Sequence, residues 1–268
     1  MDLMQAFFLG IIQGITEFIP ISSTAHLRII PEVLDWEDPG TEFSAVIQLG
    51  TLIAVFIYFR NDLKKIFLAA IISIKNRSLF ESSNSRTAWG IIAATFPIVI
   101  FGLIFKDFIK NEARELWVIG ISLILVGLLI YISEKISKKK QTIADLNFFQ
   151  IQFIGLTQVL SLIPGCSRSG STIMGGFFMG LNRENSARFS FLLGFPAIFG
   201  SSIYEFYELI KIGISIEDYF HLAIGIISAF FSGYISIKFF LSFIKSFGTF
   251  FFVLYRVLLG TLILVFLV

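Results

Sequence analysis

Two groups of polar residues interrupt otherwise apolar sequence, and the first of them could carry out hydrolysis. Gln13 and Glu17 are spaced i and i+4, so they share one face of a helix. Beyond a break at Pro20, Ser23 and His26 are spaced i and i+3 and share a face of the next helix. Ser23 could attack a substrate, His26 could move the proton, and Glu17 could orient the imidazole or offset its charge. Alternatively, the hydroxyl groups after Pro20 only cap the second helix.

The second polar group follows the helix break at Pro164 and is typical of an anion-binding site. Backbone N–H groups at the start of a new helix favour negative charge, and the guanidinium of Arg168 can hold phosphate oxygens in a bidentate fork. Arg168 could instead form a buried salt bridge with Glu17, and both interpretations are compatible in the resting protein. The residues predicted to bind phosphate are Ser167, Ser169, Gly170, Thr172, Ser22 and Thr24.

The composition indicates an integral membrane protein. Of the 268 residues, 56% are hydrophobic and 15% are charged, and the mean hydropathy is +0.84. The 33 phenylalanines and apolar runs of about 20 residues favour an all-α fold over a membrane barrel. A charged side chain inside a bilayer costs about 3 kcal/mol, so Glu17, His26 and Arg168 are functional candidates. We expect no removable signal peptide, and the net charge of +2 does not predict a nucleic-acid partner.

The apolar pattern predicts six full transmembrane helices and two re-entrant helical hairpins. The hairpins, residues 3–30 and 147–181, are the apolar segments that contain the two polar breaks. Irregular backbone at membrane depth must be satisfied by protein or by a water-filled cavity, so the hairpin tips should point into the helical bundle. The predicted full spans are residues 43–59, 87–106, 116–133, 187–208, 220–240 and 249–268.

Loop charge predicts the orientation of the chain. Residues 31–42 carry five carboxylates without a lysine or arginine, so they should be extracytoplasmic. Residues 60–86 and 134–145 are rich in lysine and arginine and should face the cytoplasm. The first half of the chain then crosses the membrane an odd number of times, so the second half begins with the opposite orientation. This pattern is typical of inverted-topology repeats.

Matching residues support a duplication with one hairpin entering from each face. Their tips should meet near the bilayer midplane. The matches are Gly10, Gln13 and Pro20 with Gly155, Gln158 and Pro164, and Phe43-Ser44 and Leu49-Gly50 with Phe189-Ser190 and Leu193-Gly194. We therefore expect a single membrane domain, 1–268, made of a first repeat, 1–134, a cytoplasmic linker, 135–146, and a second, inverted repeat, 147–268.

Residues 13–26 and 164–172 resemble the two signature motifs of the bacterial undecaprenyl-diphosphatase family, also called bacitracin resistance proteins. The resemblance extends over the whole chain. It implies a multi-pass enzyme of the bacterial inner (plasma) membrane that hydrolyses undecaprenyl diphosphate to undecaprenyl phosphate and inorganic phosphate. This reaction recycles the lipid carrier for peptidoglycan and other wall polymers, and it gives resistance to bacitracin, which sequesters the diphosphate.

The resemblance also implies roles for individual residues. The family's glutamate-rich motif falls on Gln13 and Glu17, its serine and histidine on Ser23 and His26, and its arginine on Arg168. Gln13 is the neutral variant of its position, which weakens any account in which two carboxylates hold a divalent cation. The resemblance establishes no cofactor, and binding of Mg²⁺ or Ca²⁺ near Glu17 is an open alternative.

From the chemistry of these residues together with the family resemblance, we expect a polyprenyl diphosphate to enter from the extracytoplasmic side with its tail between the helices. Arg168 would hold the terminal phosphate, and Ser23 would be the nucleophile. Direct attack by water, with Ser23 only binding phosphate, stays open. So does a transporter or flippase of a polyprenyl-phosphate lipid, because inverted repeats with broken helices are also transporter architecture. The sequence does not fix the oligomeric state and leaves a homodimer open.

Overall fold

The computed structural model describes residues 1–213 and 215–268, and within them every regular element is a helix. The all-α prediction is confirmed. Three short 3-10 helices lie at Glu112–Arg114, Ile143–Asp145 and Val159–Leu162. The α-helices are α1 Leu3–Phe18, α2 Ser23–Val33, α3 Gly40–Tyr58, α4 Arg60–Lys75, α5 Ser83–Ile104, α6 Lys106–Lys110, α7 Leu116–Ile136, α8 Phe148–Gln158, α9 Arg168–Phe178, α10 Arg183–Ile212, α11 Ile216–Phe247 and α12 Phe250–Phe266.

Five of these helices, α3, α5, α7, α10 and α11, are long and apolar enough to cross a membrane. They correspond to five of the six predicted full spans. The sixth prediction, 249–268, falls on α12, which is apolar but only 17 residues long. The chain is thus a multi-pass membrane protein, and the full count of six spans stays a prediction.

Helix α4 is an element to which the sequence analysis assigns no secondary structure. The basic residues of region 60–86 indicate a cytoplasmic loop. Within that region, however, residues 66–74 form a continuous run of apolar and small side chains, which is compatible with a helix. The helix is joined to α3 through Phe59 and packs on α5, where the Trp89 indole N–H donates to Ser73 Oγ at 2.9 Å. Its Phe67 and Ile72 side chains remain exposed on the protein surface.

Two helix pairs, α1–α2 and α8–α9, have similar turns at their tips. Ser22 and Ser167 precede the second helix of each pair, with positive φ angles of 74° and 68°. Each side chain caps that helix: Ser22 Oγ accepts from the Ala25 N–H at 3.4 Å, and Ser167 Oγ accepts from the Gly170 N–H at 3.0 Å. The breaks lie at Pro20 and Pro164, where the sequence predicts them, and the following helices begin at Ser23 and Arg168.

Small residues allow the first helix of each pair to approach a long neighbouring helix closely. Helix α1 packs along α11, and a Cβ atom added to Gly14 would lie 2.6 Å from both the Ala229 carbonyl oxygen and the Gly233 nitrogen. Helix α8 packs on α5 in the same manner, with Gly155 directly against Ala94. Such contacts between small residues provide the van der Waals packing that holds helices together in lipid.

The close contact at Gly14 predicts a loss of stability on substitution. We expect Gly14→Val to lower the free energy of unfolding by about 1–3 kcal/mol, because backbone atoms of α11 leave no room for the side chain. Thermal unfolding of the purified protein in detergent measures this. The neighbouring Ile15 is an exposed side chain, so Ile15→Val is the matched control and should change little. Equal stability of the two variants would contradict this packing.

Candidate active site

The tips of the two helix pairs lie in contact and are joined by hydrogen bonds. Ser22 Oγ accepts from the Gly165 N–H at 3.1 Å, although the two residues are 143 positions apart in the chain. Ser169 Oγ donates to the carbonyl oxygen of Ile19 at 3.2 Å. Each tip thus satisfies polar groups of the other in the protein interior. The two polar groups of the sequence thereby form one site.

The carboxylate of Glu17 is the centre of this site and is almost fully buried. Its Oε2 atom accepts hydrogen bonds from Gln13 Nε2 and Ser23 Oγ, both at 2.7 Å. Its Oε1 atom accepts from Arg168 Nη2 of the opposite tip, which forms the salt bridge considered from the sequence. The same guanidinium nitrogen lies 3.4 Å from Gln48 Oε1 on α3. A hydroxyl, a carboxylate and a guanidinium therefore meet at one point.

His26 is oriented differently from the sequence prediction. Its Nδ1 atom lies 2.7 Å from the Ser22 carbonyl oxygen, and its Nε2 atom lies 2.7 Å from the Tyr255 hydroxyl. A carbonyl only accepts, so Nδ1 must carry the hydrogen, and Nε2 of the neutral ring then accepts from Tyr255. In the described structure Glu17 and His26 do not form the predicted contact. The His26 ring bonds the Ser22 carbonyl at the start of its own helix, and Glu17 bonds Ser23 directly.

The residues predicted to bind phosphate divide into two sets. Those whose side chains or backbone line the cavity at the tips are Ser22, Thr24 and Ser167. The others, Ser169, Gly170 and Thr172, are buried behind them.

Thr172 has a structural contact in this arrangement. Its hydroxyl donates to the Arg168 carbonyl at 2.8 Å and lies 2.6 Å from Ser190 Oγ on α10. It therefore attaches α9 to α10, and in this state its hydroxyl is occupied by the protein.

A cavity of about 490 Å³ extends from the tips between α3, α5 and α10. Helices α3 and α10 contribute polar side chains to its walls, among them Gln48 and Ser201. Helix α5 contributes an apolar wall, formed by Ile98, Val99 and Leu103. One cavity thus offers both a charged end and a hydrocarbon-like surface.

Two basic residues of α6, Lys106 and Lys110, also line the cavity. Neither residue was predicted from the sequence to belong to the site. Lys110 Nζ donates to Glu42 on α3 at 2.8 Å and to Glu205 on α10 at 2.9 Å. Burial opposes the protonated form, but these two hydrogen bonds and charges outweigh it, so the pKa of Lys110 is raised. Lys106 donates to the Tyr204 hydroxyl at 2.6 Å. Together these contacts attach α6 to α3 and α10.

The donor set near Glu17 gives little support to a protein-held metal ion. Within residues 1–213 and 215–268, no group of three His, Cys, Asp or Glu side chains is arranged to hold one. Gln13 Oε1 is a buried oxygen without a hydrogen-bond partner in the described structure, so it could accept from water or contribute one oxygen ligand to a cation.

Comparison with known proteins places the chain in a family. The model of the family described as Bacitracin resistance protein BacA matches residues 6–262. The chain belongs to this family. It is 45% identical to the undecaprenyl-diphosphatase of Chloroherpeton thalassium over 98% of this chain and 96% of that protein. The undecaprenyl-diphosphatase of Myxococcus xanthus is 45% identical over 99% and 89% of the two chains, and that of Synechococcus elongatus is 44% identical over 98% and 93%.

The Glu17–Arg168 pair predicts that the carboxylate competes with anions for the guanidinium. Glu17→Gln removes the charge but keeps the shape, so we expect inorganic phosphate to bind about tenfold more tightly, equivalent to about 1.4 kcal/mol. Titration calorimetry in detergent measures the dissociation constant. Glu205→Gln is the matched control, since Glu205 lines the same cavity but bonds Lys110, and it should change the constant less than about threefold. Unchanged or weaker phosphate binding by Glu17→Gln would contradict the competition.

Proposed function

We propose that this protein hydrolyses undecaprenyl diphosphate to undecaprenyl phosphate and inorganic phosphate. The observation that carries the proposal is the contact of Ser23, Glu17 and Arg168 at the charged end of a cavity with an apolar wall. A polyprenyl diphosphate has the matching division into a charged head and a hydrocarbon tail. The relatives named undecaprenyl-diphosphatase cover nearly the full length of the chain and support the same substrate.

Binding begins with an exchange of anions at Arg168. In the resting site Glu17 neutralises the guanidinium, which avoids leaving either charge unpaired inside the protein. The terminal phosphate of the substrate replaces Glu17 as the partner of Arg168, and the guanidinium provides several N–H donors to the phosphate oxygens. Charge that develops on these oxygens then meets donors already in position. The exchange also frees the Glu17 oxygen that Arg168 occupied.

Ser23 is the proposed nucleophile, and Glu17 is its base. Ser23 Oγ already donates to Glu17 Oε2, so the proton has a direct path as Oγ attacks the terminal phosphorus. The bond from that phosphorus to the bridging oxygen breaks, and its electron pair stays on undecaprenyl phosphate. Water then attacks the phosphoserine, the bond to Oγ breaks, Oγ recovers its proton from Glu17, and inorganic phosphate leaves.

His26 as the proton shuttle requires a change from the resting geometry. Both ring nitrogens are occupied, by the Ser22 carbonyl and the Tyr255 hydroxyl, so the ring would have to rotate toward Ser23. In the state described here the imidazole instead braces the first tip, because Ser22 also bonds Gly165 of the second tip. Loss of His26 should therefore reduce hydrolysis through either role.

The proposed arrangement in the membrane is an inverted repeat of residues 1–134 and 147–268, joined by a cytoplasmic linker, with the cavity opening to the extracytoplasmic side of the bacterial inner membrane. Packing supports it: α1 of the first repeat lies against α11 of the second, as α8 of the second repeat lies against α5 of the first, and α3 pairs with α10 and α7 with α12. Ser22 and Ser167 cap equivalent helices with similar backbone angles. Loop charge supports the orientation.

The proposed reaction predicts which variants lose activity. Ser23→Ala, His26→Ala and Arg168→Ala should each release phosphate from undecaprenyl diphosphate at least about 100-fold more slowly, since they remove the nucleophile, the imidazole that braces its tip or moves the proton, and the charge-stabilising donor. Ser161→Ala is the control, because this serine lines the same cavity but, among the described residues, its hydroxyl bonds only the Gln158 carbonyl. Full activity of Ser23→Ala would exclude Ser23 as the nucleophile. Lipid movement by the wild type without phosphate release would favour a flippase.

A covalent intermediate distinguishes Ser23 attack from direct attack by water. We expect rapid acid quenching during turnover of substrate labelled in its terminal phosphate to leave label on Ser23, located by peptide mass spectrometry. The label should be absent from Ser23→Ala and from protein quenched before substrate is added. Unlabelled Ser23 at several quench times, with full phosphate release, would show that water attacks directly and that Ser23 only binds the phosphate.

A further inference from the structure

Arg256, on α12, is a fully buried arginine that the proposed mechanism does not use. Among the described residues it has no carboxylate partner, and all of its hydrogen bonds go to backbone carbonyl oxygens. Its Nε atom donates to Leu123 at 3.1 Å, Nη1 donates to Pro20 at 3.1 Å, and Nη2 lies 2.8 Å from Gly165, 3.3 Å from Cys166 and 3.4 Å from Ser122.

Three of these carbonyls belong to the places where the helical hydrogen-bonding pattern is interrupted, whereas those of Leu123 and Ser122 lie within α7. Pro20 lies in the first tip, and Gly165 and Cys166 lie in the second, so their carbonyls lack the helical partners of a continuous helix. A buried carbonyl without a donor is destabilising, and lipid offers no donor. The planar guanidinium carries five N–H donors in a fixed fork, so a single side chain can serve both tips at once.

The two tips that Arg256 joins are the ones that carry the reacting groups. Ser23 follows Pro20 by three residues, and Arg168 follows Gly165 by three residues. A shift of one tip relative to the other would therefore change the distance from the Ser23 hydroxyl to a phosphate held by Arg168. Arg256 approaches both tips through their carbonyls, whereas Glu17 and Gln48 contact Arg168 through side chains at the cavity end.

We propose that Arg256 is a positioning residue for the hydrolysis: it fixes the Ser23 tip against the Arg168 tip so that nucleophile and bound phosphate are aligned. The inference rests on the proposed function. Helix α12 has a second contact with the first helix pair, since the Tyr255 hydroxyl bonds His26 on α2, while the helix itself packs on α7. Helix α12 thus supports the site from behind.

The expected effect of a conservative variant is a slower reaction with nearly normal binding. Arg256→Lys keeps the positive charge but has one compact ammonium in place of the fork, so it cannot bond both tips with the same geometry. Misplacement of reacting groups by about 1 Å can cost about 100-fold in rate. We expect kcat for phosphate release to fall about 100-fold, with KM changed less than about threefold.

The deciding test is a double-mutant cycle with Ser23→Ala, measured as phosphate release per folded protein. If Arg256 acts by aligning Ser23, Arg256→Lys should slow the residual reaction of the Ser23→Ala protein less than about threefold, because no nucleophile remains to align. A further loss of about 100-fold in that background would overturn the proposal, since the two effects would be independent. Unchanged kcat in the Arg256→Lys single variant would overturn it as well.

Arg86→Lys is the matched control for loss of a guanidinium that bonds carbonyls. Arg86 donates to Leu146 at 2.7 Å and Ala144 at 2.9 Å, away from the tips, so its kcat should stay within about threefold of the wild type. Thermal unfolding identifies the folded fraction of every variant. Should the wild type release no phosphate from undecaprenyl diphosphate, the proposed function fails, whereas an active wild type with multiplicative losses contradicts only the role of Arg256.

Discussion

The structure depends on one constraint: irregular backbone inside a membrane protein needs hydrogen-bond partners from protein, because lipid supplies none. Each helix pair breaks in its middle, and hydrogen bonds between the two tips and from Arg256 satisfy polar groups at both breaks. Ser22 accepts from Gly165, Ser169 donates to Ile19, and Arg256 donates to carbonyls of both tips. Neither tip satisfies these polar groups by itself. The contact between the tips therefore contributes to the stability of the fold and, in the proposed reaction, to the chemistry.

The same contact explains why charged side chains are tolerated there. Glu17 and Arg168 neutralise one another, and Gln13 and Ser23 complete the hydrogen bonds of the carboxylate. An anionic phosphate can displace Glu17 from Arg168, because its oxygens accept the same hydrogen bonds as the carboxylate. In the proposed reaction, stability of the resting site and selectivity for a phosphorylated lipid thus arise from the same residues.

The sequence predicts those features that local spacing determines. The breaks at Pro20 and Pro164 and the shared face of Gln13 and Glu17 follow from helix geometry, and the structure contains both. Features set by distant contacts could not be predicted. His26 has the expected helical position, but its ring direction is determined by Tyr255, which lies 229 residues away. Arg256 belongs to no motif, and its partners become apparent only when both tips meet.

Cross-linking of the tips in native membranes tests the central claim most directly. Ser22→Cys places a thiol next to Gly165, beside the native Cys166, while Ser73→Cys places a control thiol on α4, away from both tips. Mild oxidation followed by peptide mass spectrometry should show an intramolecular disulfide between Cys166 and the position of Ser22, and none with the position of Ser73. Failure of the Ser22→Cys protein to form this bridge, with both thiols shown to be reactive, would contradict an active site shared by the two halves.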